Sequence, residues 1–292
     1  MNTIAKLKQG SVVVGVDGSP AGEAAVEWAV RYATARRRPL MIVKATGDPG
    51  DSVEILGSAE ARRVLRTKAR RVTDHTLGVV KRLAPDLEVD VSTPLEDARQ
   101  ALIDFSDRAS IIVLGTRGRG PVRSLVLGSV STAVAAHAQC PVAVVRPAEH
   151  DTGDVRAHVV VGVDGSPAST AAVEFAFDLA SMEGRELDGV HCWSTNDTFI
   201  DPVSYQQRLD HADQHERLLN EAMAGYAEKF PDVVVHRHLP DASPVGGLVE
   251  RSETAAVVVV GSRGRSGVKT VIGSVSRSVL EHAHCTVVVV RP

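Results

Sequence analysis

The feature that most constrains the fold is a segment that occurs twice in the chain. In its first copy the apolar run Ile111–Leu114 ends at Gly115, a basic glycine-containing loop follows, and Gly128-Ser129 opens a predicted helix. The stretch 257–274 repeats this order. An unbroken apolar run is typical of a strand buried on both faces, and a Gly-Ser step before a helix is typical of a serine cap. The duplication therefore predicts two similar domains.

Strand-like and helix-like patterns alternate through the first half of the chain, and the second half repeats them. This alternation predicts an α/β fold in each half, a doubly wound open parallel sheet of five strands with helices on both faces. The predicted strands of the first half are 12–17, 40–45, 87–91, 111–115 and 142–145. Its predicted helices are 20–38, 58–83, 95–108 and 129–137. Val64 is expected on the apolar face of the second helix.

The domain boundaries follow from the repeat. The chain of 292 residues is long enough for two hydrophobic cores. Val12–Gly18 recurs as Val159–Gly165, and the polar residues before the second occurrence lack periodicity. We therefore predict a first domain at 1–147, a linker at 148–157 and a second domain at 158–292.

Charge and cysteine content exclude several classes of protein. The formal net charge of −3 gives no global attraction to nucleic acid or to an anionic membrane, and neither is predicted as a partner. The basic run 62–71 is interpreted as a solvated helix face. Three scattered cysteines are too few for a disulfide framework, and no stretch approaches the roughly 18 apolar residues of a membrane helix. No signal peptide is expected, because glycine and aspartate interrupt the first apolar residues. A cytoplasmic location is expected.

Asp17 and Gly115 follow the first and fourth predicted strands, and Asp164 and Gly261 take these places in the second copy. In a doubly wound sheet, ligands bind at the carboxyl ends of the strands, where the strand order reverses. A carboxylate there can hydrogen-bond a base or ribose, while a glycine loop and a helix start offer N–H groups to phosphates. Asp before glycine often only caps a turn, so that role stays open beside the other. The pattern predicts a nucleotide site in each copy.

The motif Gly115-x2-Gly118-x9-Gly128-Ser129, together with the stretch Val14–Ser19, closely resembles the ATP-binding branch of the universal stress protein family. The duplication is similar to the tandem two-domain members common in mycobacteria. The resemblance implies the strand order 3-2-1-4-5 and an ATP-binding regulatory role in stress response, with little or no turnover. It implies ATP as the ligand, with Mg²⁺ as its usual companion ion. It also implies pairing of the domains through their last strands, Val142–Val145 and Val287–Val290. Whether the chain also forms a homodimer stays open at this point.

By the same resemblance Asp17 contacts the adenine, Val16 and Ala45 lie beside the base, and the glycine loop lines the ribose and phosphates. The predicted ATP site of the first copy comprises Gly15, Val16, Asp17, Ala45, Leu114, Gly115, Arg117, Gly118, Gly128, Ser129, Val130 and Ser131. The predicted ATP site of the second copy comprises Gly162, Val163, Asp164, Cys192, Val260, Gly261, Arg263, Gly264, Gly273, Ser274, Val275 and Ser276. The loop arginines are either solvated charges or phosphate contacts.

The second copy departs from the family motif in its loop. Eight residues separate Gly264 from Gly273, whereas nine separate Gly118 from Gly128. A shorter loop can tighten the site or remove an N–H group that faces phosphate. We therefore expect the first copy to bind ATP more strongly.

Two other functions compete with a binding role. A slow ATPase or an adenylate-handling enzyme would use the same fold, but the chain lacks a GxxxxGK[ST] loop and a second acidic residue beside Asp17. No catalytic residue is therefore assigned, and at most weak ATP hydrolysis is expected. A tandem domain with empty clefts is the other alternative.

No metal site is predicted from the histidines. His211 and His215 are one helical turn apart but lack a third ligand nearby in the sequence. His236 and His238 alternate on a predicted strand and are interpreted as surface residues. Cys140 and its repeat equivalent Cys285 precede strands, and we expect both to be small buried hydrophobic side chains.

Overall fold

A computed structural model describes residues 7–47, 59–116, 127–147, 158–193, 202–264 and 272–292, without the side chains of 61, 202–211 and 227. Within this description the chain divides into two compact units, residues 1–147 and 148–292. The predicted linker at 148–157 lies outside the described residues.

The first unit alternates strands with helices along the chain. Its strands are β1 (Ser11–Gly15), β2 (Leu40–Val43), β3 (Val89–Ser92), β4 (Ala109–Gly115) and β5 (Val142–Val145). Its described helices are α1 (Pro20–Ala35), α2 (Ala59–Leu83), α3 (Ala98–Phe105) and α4 (Ser129–His137).

The strands of the first unit form a parallel sheet in the order β3-β2-β1-β4-β5. Val13 of β1 lies in register with Met41 of β2 and with Ile112 of β4. All four residues of Ile111–Leu114 are buried, so both faces of the central strand are covered. Helix α1 packs on β1 and β4 and contacts α2, while α3 contacts α4. The predicted doubly wound order is confirmed.

Two strands of the first unit differ from their predicted extents, and one side chain of α2 differs in burial. Strand β1 ends at Gly15, so Asp17 lies in the loop after the strand. Strand β3 begins at Val89 because Leu87 belongs to the turn after α2, where its N–H donates to Ala84 O at 3.2 Å. The Val64 side chain is 47% exposed because it lies on the charged part of α2. The prediction that Val64 joins the core is wrong.

The start of one helix and the cap of another also differ from prediction. Helix α3 begins at Ala98 because the Asp97 carboxylate caps it, accepting from the N–H groups of Arg99 and Gln100. Helix α4 begins at Ser129 as predicted, but its N-cap is Gly128 and no side chain caps it. The predicted serine cap is therefore wrong, and the serine is the first helical residue.

The second unit repeats the architecture. Its strands are β6 (His158–Gly162), β7 (Glu186–Val190), β8 (Val235–His238), β9 (Val257–Gly261) and β10 (Thr286–Val290). Its described helices are α5 (Pro167–Glu183), α6 (Pro202–Met223), α7 (Tyr226–Lys229), α8 (Pro244–Arg251) and α9 (Ser274–His282). The sheet is parallel in the order β8-β7-β6-β9-β10, the same order as in the first unit. Among the described helices of both units, none is apolar over a bilayer-spanning length.

Candidate functional site

The aspartate after the first strand closes a turn in each unit. Asp17 Oδ1 accepts from Ser19 N at 2.9 Å, and Asp164 Oδ1 accepts from Ser166 N at 2.9 Å. The turn-capping role that the sequence left open is therefore present in both copies. The second oxygen of Asp164 points across to the glycine loop, since a Cβ atom at Gly264 would lie 2.8 Å from Oδ2. One carboxylate thus fixes the turn and faces the opposite wall of the site.

The glycine that ends the fourth strand allows the strand to pass close to a helix start. A Cβ atom at Gly115 would lie 2.5 Å from Ala21 O, and one at Gly261 would lie 2.7 Å from Ala168 C. Real Cβ atoms do not approach backbone so closely, which explains why glycine stands at both positions. The carbonyls of the same two glycines accept from the hydroxyls of Ser131 and Ser276 at 2.7 and 2.6 Å. These serines brace the strand end against the following helix.

The helices after the glycine loops have open N-termini. Gly128 and Gly273 are extended N-cap residues, and no side chain caps α4 or α9. By contrast, a serine or aspartate caps each of α1, α3, α5 and α8. The first-turn N–H groups of α4 and α9 have no intrahelical acceptor, and the helix dipole adds partial positive charge there. Such an uncapped start is suited to an anion.

In the second unit these walls enclose a cavity of about 730 Å³. All twelve residues predicted for the second copy line it. The structure adds six lining residues that the sequence interpretation missed, which are Ser169, Val190, His191, Pro244, Leu248 and Ile272. His191 and Leu248 are buried. His191 stands immediately before Cys192, at the end of the second strand of this unit. That position alone could have predicted that its side chain lines the cavity.

In the first unit the predicted residues occupy the matching places. Gly15–Asp17 ends β1 and begins the next loop, Ala45 follows β2, Leu114-Gly115 ends β4, and Gly128–Ser131 forms the start of α4. All of these lie at the carboxyl ends of strands or at the helix start facing them. Arg117 and Gly118 lie outside the described residues.

The two copies differ in the side chain that follows the second strand. In the second unit this residue is His191, whose Nδ1 donates to Val163 O at 2.6 Å and whose Nε2 lies 2.8 Å from His215 Nδ1. In the first unit it is Lys44, whose ammonium donates to Ala45 O at 2.9 Å. The second cleft thus carries a buried imidazole where the first carries a part-buried cation.

Cys192 lines the second cavity with a thiol that burial makes less acidic. Burial raises the pKa of the Cys192 thiol, and the charge of Arg251 opposes this in part. The sulfur packs against backbone, because a Cβ atom at Gly247 would lie 2.6 Å from Sγ. The residue is therefore suited to apolar contact with a ligand rather than to nucleophilic chemistry. Cys140 and Cys285 are buried, as predicted.

The fold places each unit in the class of doubly wound α/β domains, and in the second unit a cavity lies at the switch point of the sheet, where such domains bind ligands. The model of the universal stress protein family matches residues 10–146 and 156–291. The chain is 37% identical to a universal stress protein of Mycobacterium tuberculosis, over 97% of this chain and 98% of that protein. It is 35% identical to one of Mycolicibacterium smegmatis, over 96% and 97%. The chain belongs to the universal stress protein family.

A solved structure supports the fold assignment. The crystal structure of a universal stress protein from Archaeoglobus fulgidus aligns with a TM-score of 0.70 at 21% identity, covering 97% of each chain. Similarity at this level of identity concerns the fold alone.

Proposed function

We propose that the chain is a cytoplasmic ATP-binding regulatory protein of the stress response, with little or no nucleotide turnover. ATP occupies the cleft between β1 and β4 in the first unit and between β6 and β9 in the second. The observation that supports this most directly is the cavity of about 730 Å³ between Asp164 and the uncapped start of α9. Its size falls within the range of roughly 300–1,000 Å³ common for small-ligand sites.

The residues of the second cavity fit the parts of a nucleotide. Val163, Asp164 and Cys192 would hold the base, and Gly261 with the start of α9 would hold ribose and phosphates. Asp164 is the only carboxylate among the described lining residues. Mg²⁺, which keeps several waters when it binds nucleotides, would therefore be held mainly by the phosphates. That arrangement favours retention of ATP over hydrolysis.

Mass spectrometry of the supernatant after mild denaturation of the purified chain tests the proposal. The expected result is ATP at one or two equivalents per chain, with tight rebinding by the emptied protein. Absence of both nucleotide and a titration signal would contradict the proposal. Rapid release of phosphate that one side-chain substitution abolishes would instead support the enzyme alternative.

A negative charge at the open start of α9 should weaken ATP binding without destabilising the fold. Ser274→Asp puts a carboxylate at the first position of α9, where the helix dipole should stabilise it by about 0.3–1 kcal/mol. The same charge repels phosphate a few Å away by more than about 1.4 kcal/mol, so ATP affinity at the second site should fall about tenfold or more. Ser129→Asp is the equivalent change in the first unit.

The matched control for these variants is Thr254→Asp. Thr254 is exposed and follows α8, at the amino end of β9 and away from the cleft. This substitution adds the same charge and should leave ATP affinity unchanged. A stable Ser274→Asp protein that binds ATP as the parent does would place the phosphates elsewhere.

The proposal includes the predicted association through the last strands of the two domains and a homodimer. Light scattering coupled to gel filtration measures the mass of the particle. One chain has a mass of 31.0 kDa, and a homodimer should show twice that mass.

A further inference from the structure

Five polar side chains of the second unit meet on one face of its sheet, and none of them lines the cavity. His158 begins β6, Glu186 and Asp188 lie on β7, and His236 and His238 lie on β8. His158 is in register with Glu186, and Asp188 is in register with His236. Because alternate residues of a strand share a face, the three strands present all five on the same side. We call them the histidine–carboxylate cluster.

The distances within the cluster are those of a ligand set. His158 Nδ1 lies 3.0 Å from Asp188 Oδ1, and one ligand atom from each of His158, Asp188 and His236 lies within 4.8 Å of the others. A tetrahedral zinc ion with bonds of about 2.0–2.1 Å keeps its ligand atoms roughly 3.3 Å apart. Small side-chain adjustments would therefore bring the three atoms to metal-binding separations.

The remaining two members support the same interpretation. Glu186 Oε2 accepts from His236 Nε2 at 2.7 Å, the type of outer carboxylate contact that orients metal-binding histidines. His238 Nε2 is buried and has no hydrogen-bond partner in the described part of the chain, although it lies 3.4 Å from Asp188 Oδ1. A buried imidazole nitrogen without a partner is costly. A metal ion beside Asp188 would give that nitrogen a partner.

The cluster is specific to the second unit. The corresponding positions of the first unit, aligned by strand register, are Ser11, Pro39, Met41, Asp90 and Ser92. No pair of imidazoles stands there. None of the five residues lines the second cavity, although His238 is in register with the lining residue Val190. The cluster is therefore a different set of side chains from the proposed nucleotide cleft.

We propose that the histidine–carboxylate cluster binds one divalent transition-metal ion of the zinc type. His158, Asp188 and His236 are its ligands, Glu186 orients His236, and His238 is the nearest fourth donor. Imidazole and carboxylate donors at this spacing match Zn²⁺ and disfavour Mg²⁺, which prefers oxygen ligands and waters. The ion would tie the edge strand β8 of this sheet to β7 and β6.

Calorimetric titration with Zn²⁺ tests the proposal. The sample is the untagged, nucleotide-free full chain in a non-chelating buffer. The parent should bind one equivalent, and Co²⁺ in its place should give the visible absorption of a tetrahedral site. The double variant H158Q/H236Q should bind Zn²⁺ on the order of 100-fold more weakly, since loss of outer contacts alone costs about 10- to 100-fold. D188N, which keeps the shape of the side chain, should give a similar loss.

The control is H282Q/H284Q, which also removes two histidines of the second unit, both of them exposed and outside the cluster. Its Zn²⁺ affinity should equal that of the parent. Circular dichroism establishes that each variant is folded. No Zn²⁺ binding by the parent would overturn the proposal. Equal losses in the two double variants would also overturn it, because they would indicate chelation by scattered surface histidines.

Discussion

Replacing Gly115 by alanine should destabilise the first unit through a clash with backbone. The new Cβ atom would lie 2.5 Å from Ala21 O and 2.6 Å from Ala21 C. Carbon contacts are favourable at about 3.5–4.0 Å, so β4 or the start of α1 must move by about 1 Å. The strand end resists such a shift because Thr116 N donates to Val145 O at 3.1 Å and the Ser131 hydroxyl binds the Gly115 carbonyl.

Forced shifts of this kind in packed regions cost about 1–3 kcal/mol. Gly78→Ala is the matched substitution, because a Cβ atom there would meet only Arg82 Nη1, at 3.9 Å. In the interior of a helix, alanine is better than glycine by about 0.5–1 kcal/mol. Both substitutions reduce the conformational freedom of the unfolded chain in the same way. Opposite effects on the free energy of unfolding would therefore show that the loss in Gly115→Ala comes from the clash in the folded state.

Tryptophan fluorescence during urea unfolding measures the effect, since each unit contains one tryptophan, Trp28 or Trp193. Trp28 is only 4% exposed, so in a Trp193→Phe background its emission reports unfolding of the first unit. The urea midpoint should fall for Gly115→Ala and rise for Gly78→Ala, with the slope unchanged. A midpoint for Gly115→Ala equal to or above that of the parent would refute the steric argument. If the argument holds, loss of ATP by this variant reports on folding as well as on binding.

Two further predictions follow from shifted pKa values. A hydrogen bond from Arg99 lowers the pKa of Asp97. This N-cap therefore stabilises the fold fully above the unfolded pKa of about 3.9, and the stabilisation is lost as the pH falls through the lower folded pKa. Asp97→Ala should cost about 1 kcal/mol of the free energy of unfolding in urea at pH 7, and the cost should decrease steadily as the pH is lowered below the unfolded pKa. Burial raises the pKa of Cys192, so at pH 8 iodoacetamide should react with Cys192 more slowly than it reacts with free glutathione. The plot of rate against pH should be displaced to higher pH, and bound ATP should slow the reaction further. Equal rates for Cys192 and glutathione would contradict the burial argument.

The strands and the sheet order were predictable because their signals are local. Val257–Val260 is an unbroken run of β-branched residues, which is typical of a strand covered on both faces, and the structure buries all of it. The repeat then fixed the equivalence of the two halves. The extent of β3 was less certain, because Leu87 is as apolar as Val89 and only the hydrogen bond of its N–H shows that it belongs to a turn.

The histidine–carboxylate cluster was not predictable from spacing. Its members come from three strands, and only the register of β6, β7 and β8 brings His158 next to Asp188 and His236. The alternation of His236 and His238 was visible and correctly placed both on one face. Both rings are partly exposed, in line with the interpretation as surface residues, but the spacing could not show that two carboxylates of β7 lie beside them.

The shorter second loop does not change how its ends are anchored. Gly128 N donates to Thr116 O at 2.8 Å in the first unit, and Gly273 N donates to Ser262 O at 2.8 Å in the second. The serine braces on the strand-end carbonyls are also alike, at 2.7 and 2.6 Å. The missing residue therefore leaves the helix start in place, and the length difference falls between Gly264 and Gly273.

A difference in affinity between the sites should then come from the side chains around the clefts as well as from the loop. Lys44 supplies a cation after β2, and a cation at this place attracts a polyanionic ligand. The equivalent His191 donates from Nδ1 to Val163 O, and its Nε2 faces His215. Exchanging these two residues tests the expectation that the first site is the stronger. If Lys44→His weakens the first site and His191→Lys strengthens the second, the side chain after the second strand sets the order. If the order persists in the exchanged protein, the loop length sets it.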